Sequence, residues 1–306
     1  MKNYVIRAID KKQNVRIFIA DTTDFVQEIR DIHQSSATGT AALGRLATIS
    51  SIMGITSKNE KEKLTIRFDG NGVGGRLTAV SNSKGEVKVT ASNPQADAPS
   101  KYSGKLDVSA FVGQSGNLAI IRDYGLKTPY TGMSDIVTGE IAEDIANYFF
   151  YSEQTPTIVS LGVLVDTDLS VRAAGGIFVQ VLPGISEEDL IKLENIASKL
   201  EPCSKMIDEG LSPEDILNKY FTDLQPEILD KQELSYKCDC SRERIEAGLI
   251  SIGKKDLQSI IDEDGQAEVI CEFCNTRYLF DRDDLTKLIA ESRWYKLWIA
   301  TFYLSK

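Results

Sequence analysis

The sequence predicts an α+β protein in three parts: an N-terminal mixed α/β domain with packed β-sheets, a helical linker, and a small C-terminal domain. Three observations carry that prediction. Strand-like runs with grouped helices fill residues 1–183. Strong helix-start signals and a concentrated negative charge mark 184–234. Four of the chain's five cysteines then fall within 37 residues, inside 235–290. At 306 residues the chain is long enough for a well-buried core and more than one domain.

In the first part, NYVIRAI (3–9) and VRIFIA (15–20) read as a hairpin about the polar turn DKKQN. TTDFVQEIRDIH (22–33) and TGTAALGRLATISSIMG (38–54) carry helical periodicity, the second apolar and rich in small residues. KLTIRF, RLTAVS, EVKVTAS, NLAIIRD, SDIVTG (134–139), TIVSLGVLV (157–165) and SVRAAGGIFVQVL (170–182) are strand-like, with the helix GEIAEDIANYFFYSEQ (139–154) inserted among them.

The linker has two capped helix starts. Ser186 precedes EEDLIKLENIASKL with Asp189 three residues on, and Ser212-Pro213-Glu214-Asp215 repeats the device with Pro at the first helical position. Residues 186–236 hold 5 basic and 13 acidic residues, and few apolar ones by inspection. Two readings follow: a solvated helical linker, or a marginally stable element that self-repulsion helps to open. In the third part, SRERIEAGLISIG (241–253), capped by Ser241, and KKDLQSIIDEDG (254–265) are helices. AEVICEFCNTRYLF (267–280) is a hairpin around the second cysteine pair.

The net charge of −10 falls entirely beyond residue 185, since 1–185 hold 19 basic and 19 acidic residues. An acidic chain repels phosphate backbones, so no nucleic-acid partner is expected. The N-terminal segment lacks the apolar core and cleavage site of a signal peptide, and no apolar run is long enough for a membrane span. The expectation is a cytoplasmic protein with no membrane association, where clustered cysteines mean metal or redox chemistry before structural disulfides.

Other motifs are discounted. Gly70-x-Gly72-x-x-Gly75 matches the dinucleotide fingerprint in form, but more strand follows it, so no helix dipole faces a phosphate. His33, the single histidine, is read as structural. Acid pairs such as Asp283-Asp284 and Glu187-Glu188-Asp189 sit at helix starts, where capping explains them. No catalytic constellation is present, so the protein is not read as an enzyme.

Cys238 and Cys240, with Cys271 and Cys274, form CxC-x30-CxxC. Four soft donors close a tetrahedral zinc site with no open position. Alternate residues of an extended segment share a side, so Cys238 and Cys240 can reach one metal. Lys237, Arg242, Arg244 and Arg277 lie beside the ligands in sequence and are expected to offset the thiolate charge. The part is therefore a small C-terminal zinc-binding domain. Spacing alone favours a structural staple. However, so short a segment depends on its metal to fold, and structural zinc supplies about 10–16 kcal/mol in zinc-finger peptides. A CxC pair also permits a tight, readily reduced disulfide, so oxidation would release the metal and unfold the segment together.

With the CDC and CEFC pairs, DGQAEV between them, TAALGR (40–45), SNPQ (92–95), GKLDV (104–108), SEQTP (152–156) and AAGGIFVQVLPG (173–184), the chain resembles the 33-kDa chaperonin family of redox-regulated heat-shock holdases. The resemblance spans about residues 1–290. It implies one Zn2+ on Cys238, Cys240, Cys271 and Cys274 in a reduced, inactive protein. It further implies redox-active disulfides pairing Cys238 with Cys240 and Cys271 with Cys274, with loss of zinc and unfolding of the zinc domain and linker. Activation would also bring homodimerisation and ATP-independent holding of unfolding client proteins, which ATP-dependent foldase chaperones later receive. In this scheme 1–183 binds clients and dimerises.

Two features depart from the motif. Cys203 is expected to be a buried small apolar residue or else a bystander thiol. The aromatic extension 291–306 places Trp294, Leu297, Trp298 and Phe302 on one helical face. Two other classes stay open beside the holdase: a thiol-disulfide oxidoreductase using CxxC, and a structural zinc-ribbon binding protein.

Overall fold

The computed structural model describes residues 3–57, 59–100 and 105–291, so the extension beyond 291, with Trp294, Leu297, Trp298 and Phe302, lies outside the described residues. The chain divides into two compact units, Met1–Lys237 and Cys238–Lys306.

The expected hairpin forms from β1 (Tyr4–Ile9) and β2 (Val15–Asp21), and the Asp10 carboxylate closes its turn by accepting the N–H groups of Lys12, Asn14 and Val15. Helices α1 (Thr23–His33) and α2 (Ala37–Gly54) follow. Next come β3 (Lys63–Gly70), β4 (Arg76–Asn82), β5 (Glu86–Ala91), α3 (Val108–Val112), β6 (Gly116–Asp123) and β7 (Tyr130–Asp135). Helix α4 (Ala142–Ser152), β8 (Thr157–Val165) and β9 (Val171–Val181) complete the first part. The linker holds α5 (Glu187–Lys199), α6 (Cys203–Asp208), α7 (Pro213–Tyr220) and β10 (Glu227–Glu233), and β11 (Ser235–Tyr236) ends the unit.

Two sheets result. One is antiparallel throughout in the order β10-β1-β2-β9-β8. The other runs β11-β5-β4-β3-β6-β7 and is antiparallel except where β11 lies parallel to β5. Helix α2 packs against strands of both, and 16 of its 18 residues are buried. Its small residues permit that: a Cβ on Gly44 would stand 2.6 Å from Val26 Cγ1 and 2.9 Å from Val163 Cγ2. Its buried hydroxyls are satisfied, Thr48 by Thr22 at 2.8 Å and Ser50 by Ser81 at 3.0 Å.

The strand expected over 134–139 runs instead over Tyr130–Asp135. The N–H groups of Val137, Thr138 and Gly139 bond to the buried Asp144 carboxylate, so they cannot join a ladder. The chain then turns into α4. The glycine motif is the β3–β4 turn, as expected. Gly72 packs so closely on α3 that a Cβ would stand 2.3 Å from the Phe111 carbonyl oxygen. No helix follows it, and no phosphate cradle forms.

The linker differs from the solvated helical reading. It is not helical throughout, because β10 extends the first sheet along β1. Nor is it solvated. Leu193, Ile196, Cys203, Met206, Ile216, Leu217, Phe221 and Leu224 are buried in one cluster with Tyr4, Ile6, Ile17, Ile19, Ile177 and Val179 of the sheet. Most of the acidic residues face outward, and some cap: Ser186 accepts from the Asp189 N–H, and Ser212 and Asp215 complete a reciprocal capping box. Asp189, buried, binds Lys12 at 2.6 Å and Lys192 at 3.1 Å, and these partners with Ser186 hold its carboxyl well below the ordinary range. Cys203 is fully buried, and burial pushes its thiol pKa up. That is the small-apolar behaviour expected of it. His33 is also buried, 3.4 Å from the Tyr236 hydroxyl, with its pKa lowered by desolvation.

The second unit holds α8 (Arg242–Ile252), α9 (Lys254–Glu263) and the hairpin β12 (Ala267–Ile270) and β13 (Arg277–Phe280), then helical residues 282–291. Ser241 caps α8 as expected, and Gly253, with φ +99°, joins the two helices. Among the described residues its core is small: Leu249, Leu257, Ile261, Phe280, Leu285 and Leu288.

Substituting Gly44→Val should lower the stability of the first unit by about 1–3 kcal/mol, through overpacking of α2 against α1 and β8. Urea unfolding followed by far-ultraviolet circular dichroism measures it.

Candidate metal centre

The four cysteines expected to act together do come together. Cys238 and Cys240 lie in the extended segment before α8, and Cys271 and Cys274 in the turn joining β12 to β13. That turn is closed by two backbone bonds, Cys271 N–H to Thr276 O (2.9 Å) and Asn275 N–H to Cys271 O (2.8 Å). Asn275 adopts φ +56°, a left-handed conformation that asparagine tolerates. All four Sγ atoms lie within 4.8 Å of one another. Cys238 and Cys271 stand 3.7 Å apart and Cys240 and Cys274 3.3 Å, so all are free thiols.

The donor set fits zinc. A tetrahedral ZnS4 centre with Zn–S of about 2.3 Å has S–S edges of about 3.8 Å. The sulfur cluster is already near that size, and its four soft donors leave no open position. No other cluster of three or more His, Cys, Asp or Glu with such spacing occurs among the described residues.

Electrostatics around the thiols come from hydroxyls rather than from cations. Tyr278 donates its hydroxyl to Cys240 Sγ at 3.1 Å, and the Thr276 hydroxyl lies 3.2 Å from Cys274 Sγ. Burial raises the pKa of Cys238 and Cys271. At Cys274 burial acts the same way but is outweighed by Thr276, through its hydroxyl and backbone, and by Cys240 and Cys271, so the thiol falls to about 7. The bond to Cys240 lifts the Tyr278 phenol to about 12.

The basic residues expected to offset the thiolates are engaged elsewhere. Arg242 binds Asp284 at 2.7 Å and the Leu279 carbonyl at 2.9 Å, and lies over the Phe280 ring. Arg277 pairs with Glu268, and Lys237 with Glu86 in the first unit. Arg244 grips Asp239 through both its backbone oxygen (2.8 Å) and its carboxylate (2.5 Å), which pins the residue between the two CxC thiols. They brace the cysteine segments and neutralise carboxylates. Tyr278 and Thr276 are the residues that sequence reasoning missed, although each lies within four positions of Cys274, Thr276 in the turn and Tyr278 on β13.

Cys271 follows a strand rather than opening a helix, unlike the activated thiol of an oxidoreductase. No helix among the described residues is long and apolar enough to cross a membrane.

Removing the hydroxyl with Tyr278→Phe should weaken zinc binding by about 10–100-fold, as loss of a group supporting a ligand does elsewhere. Competition against a chromophoric chelator reads it.

Comparison with known proteins places the fold in a family. The family model described as Hsp33 protein matches residues 3–281. The 33 kDa chaperonin of Alkaliphilus oremlandii is 47% identical over 291 residues, covering 95% of this chain and 97% of its own length. That of Clostridioides difficile is 46% identical over 291 residues, covering 95% and 100%. The crystal structure of the 33 kDa chaperonin from Thermotoga maritima is similar with a TM-score of 0.86 at 35% identity, covering 95% of this chain and 98% of that one. By match length, identity and structure together, this chain belongs to the Hsp33 family of 33 kDa chaperonins.

Proposed function

We propose that the chain is a redox-regulated, ATP-independent holdase, inactive while Cys238, Cys240, Cys271 and Cys274 are reduced and hold one Zn2+. The observation that carries this reading is a four-thiol cluster in a unit whose core, among the described residues, has six buried apolar side chains. A core that small is marginal without a staple. Bound zinc would supply that staple, since its binding free energy is also folding free energy.

Oxidation removes the donors. Cys238 with Cys240, and Cys271 with Cys274, each give up two electrons as an S–S bond forms. One hypochlorous acid per pair accepts them with a proton and becomes chloride and water. With its staple gone the second unit unfolds, and residues 184–234 open after it. What they uncover is the apolar face carrying Ile6, Ile17, Ile19, Ile177 and Val179. In this scheme that face of 1–183 receives unfolding clients in the cytoplasm, and the same domain forms the active homodimer. Clients pass to ATP-dependent chaperones once reducing conditions return. Holding needs no catalytic residue, in keeping with relatives that are named chaperonins.

Two measurements test this. Zinc release to a colour-forming chelator and light scattering of a heat-denaturing client are followed before and after hypochlorous acid. The expected result is one zinc released per chain, with suppression of aggregation only after treatment. If zinc leaves and the client aggregates equally in both states, the site is a structural staple and the reading fails. Separately, Phe221→Ala should remove about 3–5 kcal/mol from the linker's contact with the sheet. Such a variant should suppress aggregation under reducing conditions while still holding its zinc.

A further inference from the structure

We infer that the free edge of β8 is a strand-addition site for an extended, uncharged segment of an unfolding protein, an inference that rests on the holdase reading. β8 ends the first sheet, with β9 on one side and, among the described residues, no strand on the other. Which of its backbone groups face outward follows from the ladder. The Pro156 oxygen accepts from the Val181 N–H at 3.0 Å, so in the printed register the bonded pairs are Ile158 with Val179, Ser160 with Ile177, and Gly162 with Gly175. The far side of β9 gives the same answer. Ala174, opposite Val163, directs its oxygen to the Thr22 N–H at 2.9 Å, away from β8.

The N–H and C=O groups of Val159, Leu161 and Val163 therefore point off the sheet, and none has a hydrogen-bond partner there among the described residues. They line a cleft of about 500 Å3. One wall is α2, through Ala41 and Arg45, and the other is the linker, through Leu200, Pro202 and Ser204. Opening of the linker removes the second wall.

The two edges of this sheet are treated differently. β10 carries Glu227, Asp230, Lys231 and Glu233, the charges that normally guard an edge. β8 reads TIVSLGVLV, with no charge and no proline over nine residues. The charges in its cleft cancel: Arg45 pairs with Glu140 at 2.9 Å, and Lys105 and Glu143 add one of each sign. Neither an acidic nor a basic segment is favoured. Backbone pairing with a β-prone, uncharged stretch is what remains, the mode by which open edges take up extended peptides.

The test is amide hydrogen exchange, residue by residue, on the oxidised full chain with and without a heat-unfolded client. Val159, Leu161 and Val163 should gain about tenfold protection or more only when client is bound. A second arm uses a dye-labelled peptide of alternating Val and Thr, and the same peptide N-methylated at alternate residues. The parent should bind the oxidised chain at least about tenfold more tightly. Val159→Pro, whose missing N–H is one that β9 does not use, should abolish that difference. Unprotected amides with client held, or equal binding of the two peptides, would overturn the β8 site and leave the holdase reading intact. Protection that appears on oxidation without client assigns the edge to a second copy of the chain and also overturns it. An oxidised chain that holds no client at all overturns the reading and this site together.

Discussion

The constraint on which the first unit depends is that its five-stranded sheet is apolar on both faces. Along β1, β2 and β9 successive side chains alternate between two cores. Val5, Phe18, Ala20, Ala174 and Phe178 pack toward α2, while Tyr4, Ile6, Ile17, Ile19, Ile177 and Val179 pack toward the linker. Such a sheet must be covered twice, because each exposed Ile or Val would forfeit about 1.5–3 kcal/mol of burial. Helix α2 is the first cover, and because strands of both sheets press on it, 12 of its 18 residues are Gly, Ala, Ser or Thr. The second cover is the linker. Its negative charge and its burial are compatible, since most of the carboxylates face water, the buried Asp189 is paired with Lys12 and Lys192, and one apolar stripe meets the sheet.

The two units are held by different means. The first has two large cores and two broad ladders. Among the described residues, the second has six buried apolar side chains, a hairpin of two four-residue strands and four thiols gathered near its turn. Area burial scales with core size, whereas a metal cross-link contributes in full or not at all. A fold resting on the latter responds to the chemical state of four sulfur atoms. The proposed function uses that difference.

Much of this was legible in the residues, for stated reasons. The CxC and CxxC pairs are local, so their meeting needed only one hairpin and one extended segment. The β1–β2 hairpin and the capped helix starts at Ser186, Ser212 and Ser241 are equally local. What escaped depends on distant partners. EILDKQE has no apolar alternation, and it is a strand only because β1 offers it an edge. SDIVTG looks extended, but the Asp144 carboxylate collects its amides. The linker's apolar stripe was hidden among acids, spread over three short helices that no single period spans. At the thiols, proximity in sequence pointed to Arg242, Arg244 and Arg277, yet each met a carboxylate, and Tyr278 and Thr276 supply the donors instead.

The join at the end of the first unit links these themes. After β10 the chain crosses at the buried Leu234 from the first sheet to the second, where β11 makes only a two-residue ladder with β5. Tyr236 anchors it, donating to the Val89 oxygen at 3.2 Å and lying against His33, and the next residue but one is Cys238. One step back, Lys231 of β10 reaches Glu214 of α7 at 2.8 Å and lies over the ring of Tyr4, whose hydroxyl donates to the same Glu214 at 2.6 Å. A short ladder, an exposed edge strand and a part-exposed polar triad are weak attachments beside the buried cluster of α5 and α6. Within the proposed reading, the linker therefore comes away from its C-terminal end first. Its hold through Leu193, Ile196, Cys203 and Met206 of α5 and α6 yields last, because those side chains are buried in one cluster with the sheet.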